Sequence, residues 1–129
     1  MDGEILRYAF LAALVSASLL QSTAHAESQR PYWADFLTET QWQAIQVFEP
    51  ADRYSMTQIA FCESRIDETA YIIDTDGLPR KGAWMVGEVW WGKVPDTLFE
   101  QAIQASKIVS EHGTSPWTTR HGCRDWWVP

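Results

Sequence analysis

The sequence predicts a mainly helical α+β domain that carries one small β-hairpin. Apolar residues recur at helical spacing in three stretches, Trp42/Ile45/Phe48, Met56/Ile59/Ala60 and Leu98/Ala102/Ala105/Ile108/Val109. Between the second and third the period changes: Thr69-Ala70-Tyr71-Ile72-Ile73 is rich in β-branched and aromatic residues, and Asp74-Thr75-Asp76-Gly77 follows as a turn signal.

The chain opens on a segment that reads as a signal peptide. Tyr8 to Leu20 is almost wholly apolar, and Ala24-His25-Ala26 places small residues where a signal peptidase reads, which predicts cleavage after Ala26. A retained anchor is the alternative, disfavoured because roughly 13 apolar residues are too few to span a bilayer. Residues 27–129 would then form one mature domain. Glu27 to Arg30 reads as a polar leader, and Pro31-Tyr32-Trp33 begins the ordered part.

Thr38-Glu39-Thr40-Gln41 has the form of a capping box and predicts a short helix that runs until Pro50. A second helix is expected from Asp52 or Ser55 to about Ser64. The strand at 69–73 should turn at 74–77 and return through Ala83-Trp84-Met85-Val86. Gly87, Gly92 and Pro95 leave Glu88 to Lys93 as a helical turn or loop. Thr97, with Glu100 three residues on, starts the clearest helix, which Gly113 and Pro116 should end. The tail from Ser115 to Cys123 has no helical pattern.

The net charge is −7, and removing residues 1–26 takes away Asp2, Glu4 and Arg7, leaving −6. An acidic chain argues against nucleic acid or anionic membrane as a partner. A domain of this size holds a modest core. The two cysteines, Cys62 and Cys123, in an exported chain most simply form one disulfide, two free thiols being the alternative. Closing a loop of about 60 residues would remove on the order of 4 kcal/mol of unfolded-state entropy. Eight tryptophans exceed what so small a core needs, and surface tryptophans suit sugar rings or protein partners.

Glu63 follows Ile59-Ala60-Phe61-Cys62 at a helix end. Spacing alone leaves two readings open: an exposed helix-end glutamate, or a carboxyl against an apolar wall, protonated and able to act as an acid. Ser64 has no recognisable His/Asp arrangement. His25, His112 and His121 are isolated, two cysteines do not make a zinc site, and no phosphate loop is present, so no metal or cofactor is expected.

Cys62-Glu63-Ser64, Gly82-Ala83-Trp84-Met85-Val86 and Trp90-Trp91 resemble the Glu-Ser, Gly-Leu-Trp/Leu-Gln-Ile and Trp-Trp landmarks of the lysozyme-like superfamily. Glu63 to Trp91 lines up without a gap against chicken-type lysozymes. Gln101 to His112, Gly113, Pro116-Trp117 and Cys123 are more similar to bacterial lytic transglycosylases and resuscitation-promoting factors. The similarity covers roughly residues 50 to 123.

The resemblance implies a lysozyme-like fold and cleavage of the peptidoglycan β-1,4 bond between N-acetylmuramic acid and N-acetylglucosamine. Glu63 would serve as acid and then base, activating water or the sugar's own 6-hydroxyl. It also implies a sugar contact at one or both of Trp90 and Trp91, with Tyr71 and Met85 as further substrate-binding candidates; Trp84, in an apolar stretch, reads as core, and Trp117 as packed under the tail near the Cys62–Cys123 disulfide. The protein would be a monomer, secreted or periplasmic and associated with the cell wall, with glycan strands as its partner.

Two positions depart from the pattern. Arg80 falls where chicken-type lysozymes carry a second carboxylate, and Met85 replaces a glutamine whose hydrogen bonds it cannot make. Asp74, Asp76 and Glu88 are the possible stand-ins for a second carboxylate, each more readily read as a turn or solvated residue. The rival functions are a non-catalytic glycan-binding or interaction protein on the same scaffold, and an exported helical protein whose resemblance is accidental.

Overall fold

A computed structural model describes residues 30–118 of the 129-residue chain. Residues 1–26, where a signal peptide is expected, and Cys123, His121 and Trp126-Trp127 lie outside the described residues. The chain divides into two units, residues 1–35 and 36–129. In the first, the described residues hold one 3-10 turn, Tyr32–Ala34.

The second unit is an α+β fold, mainly helical. Its first helix, α1, spans Glu39–Ile45, and the capping box forms as the sequence predicts. The Gln41 amide donates to Thr38 Oγ1 at 3.1 Å, and the Thr38 amide donates to Gln41 Oε1 at 2.9 Å. The helix stops five residues short of Pro50. The Val47 and Phe48 amides tighten to the carbonyls three residues back, and the Arg53 guanidinium reaches across to the Phe48 and Gln46 carbonyls at 3.0 and 3.1 Å. Those bonds satisfy helix-end acceptors that another helical turn would otherwise have used. Trp42, Ile45 and Phe48 are all buried.

A 3-10 turn at Pro50–Asp52 leads into α2, Arg53–Ser64. Met56, Ile59 and Ala60 are fully buried, so the predicted stripe is the core face. Arg65 (φ 61°) and Ile66 (φ 58°) then both take the left-handed region. The Ile66 amide closes on the Ala60 carbonyl at 3.1 Å and the Arg65 amide on that of Phe61 at 2.9 Å. A β-branched residue in that region is strained, by about 1–3 kcal/mol. Burial of the Ile66 side chain offsets part of that cost.

The hairpin pairs β1, Tyr71–Ile73, with β2, Pro79–Lys81, in register Tyr71↔Lys81, Ile72↔Arg80 and Ile73↔Pro79. The predicted turn is present, but the return strand is not Ala83–Val86. The Asp74 amide meets the Leu78 carbonyl at 3.0 Å and the Gly77 amide the Asp74 carbonyl at 2.9 Å, so the chain comes back sooner. Residues 82–86 instead form a buried tight turn. Gly82 (φ 81°) and Met85 (φ 47°) exclude an extended strand, and Lys81 and Val86 exchange both amide–carbonyl bonds across its base.

Three helices follow the turn, of which the second and third add buried residues to the core. The short α3, Glu88–Trp91, fills the segment expected to be a helical turn. The long α4, Leu98–His112, starts at Thr97, whose hydroxyl accepts from the Glu100 amide at 3.3 Å, and ends at Gly113 (φ 63°). All five residues of its predicted stripe are buried. Ser115–Thr118 forms a further short helix, α5, against the expectation of an irregular tail. Pro116 is tolerated there because a residue in the first helical turn has no intrahelical use for its missing N–H.

Trp84 joins these elements. Its indole N–H donates to the Met56 carbonyl of α2 at 2.9 Å, and its ring lies 5.3 Å from that of Phe48. Its own carbonyl accepts from the Trp117 indole at 2.8 Å. Trp84 and Trp117 are thus core residues, both buried. Among the described residues no helix is long and apolar enough to cross a membrane.

Candidate functional site

Glu63 is the penultimate residue of α2 and is half-buried. It follows Ile59 by four positions and Ala60 by three, so its Cβ continues the buried stripe as the helix leaves the core. Cys62, the residue before it, is also half-buried.

Ser64 fastens this helix end to the 82–86 turn. Its hydroxyl donates to the Ala83 carbonyl at 2.8 Å, with the Ala60 carbonyl at 3.3 Å, and accepts from the Asp67 amide at 3.0 Å. Two segments separated by 19 positions, each singled out from the sequence, therefore meet at one hydrogen bond. Phe61, three residues earlier, packs edge-on to Phe36 at 5.7 Å and lies under the Arg65 guanidinium at 4.5 Å.

Gln101 holds the other side of the same turn. It is buried on α4, and its side chain makes three bonds: Oε1 accepts from the Ala83 amide at 2.9 Å, while Nε2 donates to the Glu68 and Pro95 carbonyls at 2.9 and 2.8 Å. Gly82 is required beside it, because a Cβ there would come within 2.7 Å of Gln101 Oε1. A polar residue between Leu98 and Ala102 on a core-facing stripe was the available signal for such a role.

Met85, Trp90 and Trp91 come together around one cavity of about 400 Å3, with Arg80, His112 and Trp117 also in its wall. That volume falls in the ~300–1,000 Å3 range of small-ligand sites. Met85 is buried and lines the cavity. Trp91 meets the His112 ring edge-on at 5.0 Å. Trp90 keeps 53% of its surface exposed.

Arg80 is buried, and its guanidinium reaches Asp74 at 3.3 Å and Asp76 at 2.8 Å while lying 4.3 Å from the centre of a Trp90 ring. Gly87 lets the pair close: a Cβ there would collide with both Arg80 and Trp90. The two hairpin aspartates considered as second carboxylates thus face a cation. Glu88, the third, accepts from the Val94 amide at 3.2 Å and pairs with Lys81 at 3.2 Å. The Val94 N–H first, then Lys81, holds its carboxyl below the ordinary range and so ionised. Asp67 is held low in the same sense by the Thr69 hydroxyl and amide.

Tyr71 stands apart from the tryptophans. It is exposed on β1 and lines a second cavity, of about 260 Å3, with Lys81, Asp96 and Gln101. Glu63 is not among the described residues that line either cavity. Among the described residues no cluster of three His, Cys, Asp or Glu side chains could hold a metal ion. No protein-family model, curated protein or solved structure matches the chain.

Proposed function

We propose that this chain is a peptidoglycan-cleaving glycosidase of lysozyme-like fold, with Glu63 as its single acid and base. The observation that carries the reading is the Ser64–Ala83 bond, which joins the Glu63 helix end to the turn bearing Trp84 and Met85. Its support is the half-buried position of Glu63 at the end of an apolar stripe.

In the proposed reaction Glu63 donates its proton to the oxygen linking N-acetylmuramic acid to N-acetylglucosamine as the bond from C1 to that oxygen breaks. The carboxylate then takes a proton from water, or from the 6-hydroxyl of the muramic residue, as the new bond to C1 forms. Water gives a hydrolysed end and the 6-hydroxyl a 1,6-anhydro end. Export through residues 1–26 belongs to the same proposal, as does a Cys62–Cys123 disulfide. No cysteine among the described residues is free, which supports the pairing.

Arg80 favours a second reading, a glycan-binding protein without turnover. Its guanidinium, engaged by Asp74 and Asp76, occupies the place where the resemblance sets a second carboxylate. Loss of turbidity of purified peptidoglycan, measured with wild type beside Glu63→Gln, separates the two. Clearing by the wild type alone supports the enzyme. Equal glycan binding by both, with no clearing by either, leaves the binding protein.

A further inference from the structure

We infer that Arg80 is a positioning residue, which clamps Trp90 as a flat platform for a neutral sugar ring. The inference rests on the glycan reading above and goes beyond it, since it assigns a role to the residue that breaks the resemblance.

Arg80 is fixed from both sides. Asp74 and Asp76 hold Nε and one terminal nitrogen at 3.3 and 2.8 Å, and the hairpin register sets the backbone opposite Ile72. A planar guanidinium bonded in that way has little rotational freedom left. Its carbon sits 4.3 Å from the Trp90 ring centre, within the range of a cation–π contact. Gly87, with no Cβ, lets Trp90 and Arg80 approach.

Trp90 itself lies on α3, a helix of only four residues between Gly87 and Gly92. So short an element does little to fix an indole that is half exposed. The guanidinium supplies that order before any ligand arrives, which lowers the entropy lost on binding. The arginine's charge is balanced by two aspartates, so it does not attract an acidic group. Its effect passes through the ring, and the ligand it suits is an uncharged pyranose.

The test uses full-length mature protein labelled with 5-fluorotryptophan, with chitotetraose as the probe. Loss of one fluorine resonance in Trp90→Phe assigns that ring. Arg80→Lys keeps the charge but not the plane, and should shift or broaden the Trp90 resonance while leaving that of buried Trp84 in place. It should weaken chitotetraose binding by about twofold to fivefold, and raise KM on peptidoglycan more than it lowers kcat. In a Trp90→Ala background Arg80→Lys should cost no further affinity.

An unmoved Trp90 resonance in Arg80→Lys would overturn the clamp, whatever the glycan results. Equal losses of affinity in both backgrounds would overturn action through the ring. A resonance that responds, in a wild type that neither binds chitotetraose nor cleaves peptidoglycan, would instead bring down the glycan reading and the platform with it.

Discussion

Replacing Gln101 by leucine tests the packing that presents the site. The side chain is 3% exposed and satisfies the Ala83 amide and the Glu68 and Pro95 carbonyls. Leucine keeps much of the volume and removes all three bonds. A buried polar group left without a partner costs about 1–3 kcal/mol, and a net hydrogen bond about 0.5–1.5 kcal/mol. Some of the orphaned groups will find water near the second cavity, so a loss of about 3 kcal/mol is expected. In urea unfolding with a slope of about 1.5 kcal/mol per molar, the midpoint should fall by about 2 M with the slope unchanged. The Trp84 turn should loosen as well, seen as weaker near-ultraviolet dichroism from the aromatic core. A midpoint shift below about 0.3 M would refute the view that Gln101 holds the turn.

Gly82→Ala should destabilise by about 2–4 kcal/mol, combining the left-handed φ of 81° with a Cβ 2.7 Å from Gln101 Oε1, as read by thermal unfolding. Ser64→Ala should lower stability by about 1–2 kcal/mol and reduce peptidoglycan cleavage more than stability predicts, because it frees the Glu63 helix end from Ala83. Glu88 and Asp67 are held below their ordinary values of 4.5 and 3.8, so their contribution to stability is complete above those values and is lost as pH falls through the lower folded values. Melting temperature measured against pH should therefore drop less steeply in the acid range for Glu88→Gln than for wild type.

The three longer helices were legible because each has a local cause. Thr38 and Gln41 write the first cap, and the Met56 and Leu98 stripes write the two core faces. The hairpin was legible up to its turn. Its return strand was misread because Ala83 to Val86 has strand composition, yet Trp84 is drawn inward by a hydrogen bond to Met56, 28 positions away. No local pattern encodes that contact, and the positive φ of Met85 runs against residue preference. The helical turn at Ser115–Thr118 was missed because Pro116 reads as a stop when it can equally sit in a first turn.

Met85, Trp90 and Trp91, singled out from the sequence, line one cavity, whereas the bond from Ser64 to Ala83 that joins the Glu63 helix end to the Gly82–Val86 turn had no local signal. Arg80 was visible only as a departure. That it bridges Asp74, Asp76 and Trp90 depends on the strand register and on the space left by Gly87. Gln101 was passed over, since its three partners come from three different loops.

The central claim is that Glu63 transfers the proton in glycosidic cleavage, and mass analysis of soluble muropeptides tests it most directly. Purified peptidoglycan is incubated with equal amounts of folded wild type and Glu63→Gln, and products ending in N-acetylmuramic acid are weighed. The account predicts such products from the wild type, with a hydrolysed end or a 1,6-anhydro end one water lighter, and none from Glu63→Gln. Equal product release by the two proteins would contradict it.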